Sequence, residues 1–123
     1  MKTIIIVGLG GFLGTIIRYI IQIFFSNNWL TIFPFATLFV NLLGCLVIGL
    51  LFGLSYKCNF INTDYKLFFT TGLCGGFTTF SSFSNESFML LKNGNYFYFF
   101  LYIFLSVIIG ILLTFLGYSI IKN

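Results

Sequence analysis

The sequence predicts an all-α integral membrane protein with four transmembrane helices, the third broken near mid-membrane. Three observations carry that prediction. First, 59% of the 123 residues are hydrophobic and only 7% are charged. A soluble domain carries about 25% charged residues, and a small one needs a polar exterior because its surface is large for its volume. Six Lys+Arg and two Asp+Glu cannot coat such a globule, and disordered chains are apolar-poor rather than apolar-rich. Second, the apolar residues gather into four stretches, each near the roughly 20 residues that cross a bilayer. Third, only the third stretch is rich in Gly, Ser and Thr at its centre.

The first span covers residues 3–25. Lys2 followed by an apolar run imitates a signal peptide, but the run is too long and no small-residue cleavage site follows, so it is expected to remain as a span. Ser26-Asn27-Asn28 interrupts it, and Trp29 is expected to anchor at the interface. Pro34 suits the first turn of the second helix, over residues 35–54, edged by Tyr56 and Lys57. Residues 57–64 form a short polar loop. The third segment, residues 65–91, holds Gly72, Gly75, Gly76 and seven Ser/Thr at its centre. Those glycines permit backbone conformations that end a helix, so the break is expected among them. Non-helical backbone survives at membrane depth only inside protein or along a cavity. Broken helices recur where ions bind, their freed carbonyls taking cations. Lys92-Asn93-Gly94-Asn95 reads as a turn, and the fourth span covers residues 96–121. No stretch outside the membrane is long enough to fold alone, so residues 1–123 form one domain.

The composition excludes several functions. There is no His, and Cys45, Cys58 and Cys74 do not cluster with acids, which leaves no thiolate–imidazole metal site. Cys45 and Cys74 lie in apolar runs and read as small hydrophobes. No nucleophile–base pair can be assembled, so the chain is not expected to be an enzyme. The basic residues are scattered, which excludes nucleic acid as a partner. Gly8-Leu9-Gly10-Gly11-Phe12-Leu13-Gly14 lacks the final glycine and the βαβ context of a dinucleotide fingerprint.

Each long span carries one small-or-polar stripe at a spacing of four: Gly10, Gly14, Arg18, Gln22; then Thr37, Asn41, Cys45, Gly49, Gly53; then Tyr102, Ser106, Gly110, Thr114. The glycines fit close helix packing. Asn41 needs partners for its amide, so it marks an interhelical hydrogen bond or a permeation path. Arg18, the sole charge within the first span, either snorkels, draws an anion into a vestibule, or pairs with Glu86. Phe80 and Phe83 share a face beside Ser81 and Ser84. Ring edges with hydroxyl and amide donors suit a small desolvated anion, and ring faces would suit a cation. Four spans place Lys2, Lys57, Lys66 and Lys122 on one side, against Arg18 and Lys92 on the other. That weak bias fits either cytoplasmic termini or insertion in both orientations.

Three motifs resemble the CrcB/Fluc family of fluoride channels. They are Gly10-Gly11-Phe12-Leu13-Gly14-Thr15-Ile16-Ile17-Arg18-Tyr19, Thr37-Leu38-Phe39-Val40-Asn41-Leu42-Leu43-Gly44, and the run from Gly72 to Glu86. The last, with Gly75-Gly76-Phe77-Thr78-Thr79-Phe80-Ser81-Ser82-Phe83-Ser84, is the specific one. The resemblance implies an antiparallel, dual-topology homodimer with two pores in the cell membrane, passing fluoride passively outward. It implies a pore lined by Asn41, Phe80, Phe83, Ser81, Tyr102 and Ser106, with Arg18 near a vestibule or stabilising the dimer. It further implies a structural sodium ion held by the backbone carbonyls of Gly75 and Thr78. The main rival, a small four-span multidrug exporter, needs a carboxylate in its first span, where this chain has Arg18. A membrane scaffold without transport would leave the broken helix unexplained.

Overall fold

The computed structural model describes residues 1–28, 31–58 and 62–123. Helix α1 is Lys2–Asn28 and α2 is Phe35–Lys57. Helix α3 covers residues 63–77 and contains a wide π-helical stretch at Phe68–Cys74. Helix α4 is Phe80–Lys92, and α5 is Tyr96–Lys122, with a second π-helical stretch at Leu105–Ile109. Three of these, α1, α2 and α5, are long and apolar enough to cross a membrane. Residues 63–92 form a bent helix made of α3 and α4.

The boundaries differ from expectation in instructive ways. Helix α1 continues through the expected Ser26-Asn27-Asn28 break, and the Asn28 side-chain amide donates to the Phe24 carbonyl at 2.8 Å, satisfying one of the helix's last acceptors. Trp29, the expected anchor, lies outside the described residues, as do residues 59–61 of the polar loop. Pro34 stands at the N-cap of α2, one position before the first turn, and its carbonyl accepts from the Leu38 N–H at 3.2 Å. The α4–α5 turn closes α4 with Gly94 at φ +78°, the one left-handed residue described. There the Asn95 N–H returns to the Leu90 carbonyl and the Gly94 N–H to that of Leu91, the Schellman pattern that uses up a helix's free carbonyls.

The glycines have a different role from the one expected of them. Gly72, Gly75 and Gly76 are all helical, and the break falls after them, at Thr78–Thr79. Two of the three serve close approach instead. A Cβ on Gly72 would meet the Val7 carbonyl oxygen at 2.7 Å and the Gly10 Cα at 3.0 Å, and one on Gly76 would strike the Gly11 carbonyl. On the facing helix, a Cβ on Gly10 would meet the Phe68 carbonyl oxygen at 2.5 Å, and one on Gly14 would strike that of Leu73. Helices α1 and α3 thus touch backbone to backbone. Lipid gives apolar helices no hydrophobic reason to associate, so such close van der Waals contact is what holds them together.

The second pair, α2 and α5, is built the same way. Gly49 faces the Thr114 carbonyl and Gly117 faces that of Leu46, while the Thr114 hydroxyl donates to the Cys45 carbonyl at 3.1 Å. Cys45, Cys58 and Cys74 are free thiols, and Cys74 is buried as a small hydrophobe. Helix α4 closes the second pair through a cluster of Phe33, Leu38, Leu90 and Tyr102, with Phe83 packed against it.

Candidate functional site at the helix break

Helix α3 ends because Thr78 and Thr79 turn extended, at φ −88°, ψ 158° and φ −149°, ψ 117°. Two side chains hold this conformation. The Asn41 Oδ1 accepts the Thr79 N–H at 2.8 Å, and the Asn41 Nδ2 donates to the Thr79 carbonyl at 3.0 Å. One amide therefore serves both backbone groups of the residue at the bend. The Thr79 hydroxyl in turn accepts the Ser82 N–H at 3.2 Å, capping α4.

These bonds redirect donors. In an unbroken helix the Thr79 N–H would bond to the Gly75 carbonyl, and the Ser82 N–H to that of Thr78. Both donors now point at side chains, so the Gly75 and Thr78 carbonyls lose their helical partners. Between them, the Gly76 carbonyl is taken by the Arg18 Nε at 3.0 Å and the Thr15 hydroxyl at 3.5 Å. Arg18 thus places its charge at the C-terminal end of α3, where the helix dipole is negative. It does not reach Glu86, so the pairing allowed by the sequence does not form.

Glu86 is held instead by two hydroxyls. Thr37 donates to its Oε1 at 2.6 Å, and Tyr102 to its Oε2 at 2.7 Å. Tyr102 is fully buried, its proton spent on that carboxylate. Sequence reasoning assigned Glu86 no partner among hydroxyls. The available signal was the α2 stripe, which puts Thr37 one turn before Asn41.

A cavity of about 360 Å³ opens beside the break, lined by Asn41, Gly75, Thr78, Phe80, Phe83 and Ser106 among others. Six of the nine expected site residues meet there. The Ser106 hydroxyl is buried without a hydrogen-bond partner, a costly arrangement that leaves a donor free. Of the two Asn41 amide protons, one is used among the described residues. The Phe80 and Phe83 rings lie 5.7 Å apart at 45°, and Phe83 continues to Tyr102 at 5.0 Å. Ser81 is exposed on the neighbouring face, 3.3 Å from the Thr79 hydroxyl. Arg18 lies off this cavity, against α3. Among the described residues no three His, Cys, Asp or Glu stand together as metal ligands.

A bundle of long apolar helices, with a mainly apolar cavity carrying a few polar groups at the point where one is broken, defines a multi-pass cell-membrane protein of the channel or transporter type. Residues 5–118 match the family model described as CrcB-like protein, Camphor Resistance (CrcB), and the chain belongs to that family. A relative from Phocaeicola vulgatus is 49% identical over 117 residues, covering 95% of this chain and 96% of its own. Another from Azobacteroides pseudotrichonymphae is 47% identical over 118 residues, covering 96% and 94%. A third from Flavobacterium psychrophilum is 47% identical over 123 residues, covering 100% and 99%. All three are named fluoride-specific ion channel FluC. Membership in this family makes the chain a channel protein and not an enzyme.

Proposed function

We propose that the chain is the subunit of a fluoride channel that lets fluoride leave the cell passively. The observation that carries this reading is the break-side cavity, where the Asn41 amide, the Ser106 hydroxyl and the Phe80 and Phe83 rings meet without a charged side chain. Fluoride is small and strongly hydrated, so a dry path must replace its water with donors. The second Asn41 amide proton and the Ser106 hydroxyl are available for that role. The Phe80 and Phe83 ring edges, with their positive rims, complete the surroundings. The N-terminus of α4 adds a positive dipole end close by. Tyr102 contributes through Glu86, since its proton is already committed there. Ser81 lines the outer side of the same turn.

In this reading residues 63–92 make a fourth crossing, and two copies assemble antiparallel around two pores. Phe80 is 78% exposed, and a Cβ on Gly75 would meet no atom within 4 Å. Lipid can cover an aromatic side chain, but backbone carbonyls without helical partners at membrane depth need protein or a wet cavity beside them, and a second copy supplies that cover. The Gly75 and Thr78 carbonyls, relieved of their helical donors, fit a sodium ion, a hard cation that prefers oxygen. Two copies would offer two such pairs. Bound there, the ion would neutralise the carbonyl ends of two α3 helices.

Purified protein in liposomes is expected to release fluoride far faster than chloride, read with ion-selective electrodes. Equal rates for the two anions would exclude the proposal. Exchange of sodium for a bulky organic cation on both sides is expected to lower flux and loosen the dimer on size-exclusion chromatography. Unchanged flux and elution in sodium-free medium would remove sodium from the account.

A further inference from the structure

Far from the break, the starts of α1 and α3 enclose a groove of about 420 Å³. Its head is an ion pair, Lys2 Nζ to Asp64 Oδ2 at 3.1 Å. Beside the pair, Asn62 accepts the Asp64 N–H through its Oδ1, and its Nδ2 has no hydrogen bond among the described residues. Below the pair the walls turn apolar, with Ile6 and Leu9 on α1 and Phe69 on α3. From Lys2 to Leu9 the helix rises about 10 Å. The groove is therefore amphipathic along its length, with both signs of charge at one end and hydrocarbon at the other.

We propose that this groove seats one phospholipid with a zwitterionic ethanolamine headgroup. Its phosphate lies on Lys2 and the Asn62 amide, its ammonium on Asp64, and its upper acyl chain along Ile6, Leu9 and Phe69. Charge complementarity selects this occupant. The Lys2 ammonium is 80% exposed and can turn to a phosphate, while the Asp64 carboxylate, 24% exposed, stays in place as the acceptor. A zwitterion inserted into the pair makes an alternating array of four charges with no net charge gained. A lipid carrying only a phosphate would meet Asp64 unpaired. A choline head has no N–H to donate, and its methyl groups keep its charge away from the carboxylate.

The test is native mass spectrometry of the protein released from nanodiscs of equimolar phosphatidylethanolamine and phosphatidylglycerol. Retention of one phosphatidylethanolamine per chain is expected. Lys2→Gln and Asp64→Asn should each reduce it about fivefold, as expected for loss of one partly exposed ionic contact. Exchanging both, Lys2→Asp with Asp64→Lys, should restore it, because the headgroup can bind turned around. Equal retention of phosphatidylglycerol, variants that hold phosphatidylethanolamine like the parent, or no lipid retained at all would each overturn the proposal. The last outcome would mean that protein, such as a second copy, covers the groove. Fluoride flux in liposomes is expected to be the same in all variants, which separates this site from the channel reading.

Discussion

Asn41→Ala is expected to cut fluoride flux at least about tenfold and to destabilise the fold by about 2–4 kcal/mol, since each buried backbone group left unpaired costs about 1–3 kcal/mol. Two such groups are exposed by this single change, the N–H and the carbonyl of Thr79. The backbone then has a ready alternative. The Thr79 N–H can return to the Gly75 carbonyl, extending α3 and shifting the start of α4. That rearrangement would move Phe80 and Phe83 relative to the cavity and use up an oxygen proposed for sodium. Liposome flux, paired with denaturant unfolding in detergent, checks both effects. Flux at the parent level would show that the bend holds itself and that the amide proton is not part of the path.

Gly76→Ala is expected to be at least as damaging, for a different reason. The added methyl would strike the Gly11 carbonyl and lie 3.0 Å from the Gly11 Cα, and neither backbone atom can yield. Overpacking of this kind costs about 1–3 kcal/mol even where side chains can adjust. Here the helices must part, and the Arg18 and Thr15 bonds to the Gly76 carbonyl are lost with them. A large drop in folded protein recovered in detergent is expected. Gly8→Ala is the matched control, because a Cβ there meets no atom within 4 Å. If Gly76→Ala and Gly8→Ala are equally stable, the backbone contact between α1 and α3 is not what holds that pair.

Much of the fold was legible because hydropathy is a local property. The apolar stretches, the interruption in the third and the turn at Gly94 all follow from neighbouring residues. The location of the break was not legible. In lipid a glycine signals either a bend or a close neighbour, and choosing between them requires knowing what packs on it. Gly72 and Gly76 face the backbone of α1, and the bend falls at Thr78 and Thr79 instead. Asn41 was legible as a position that needs hydrogen-bond partners, since an amide at that depth cannot go without them. Its double bond to Thr79 was not, because the two lie 38 positions apart. Arg18 and Glu86 illustrate the same limit. Opposite charges in one bundle suggest a pair, but the fold gives each its own partner, a helix end for one and two hydroxyls for the other.

The backbone contacts join the helices into two stiff pairs, α1 with α3 and α2 with α5. Where main chains touch through glycines, neither sliding nor tilting is cheap, so mechanical compliance concentrates at the seam between the bodies. The cavity at the break lies on that seam, crossed by the Asn41–Thr79 bonds. Pressure, bilayer thickness or membrane tension would therefore act on the width of this cavity before deforming either body. The stiff parts of the chain are thus its two glycine-packed pairs, and the compliant part is the seam where the third helix breaks.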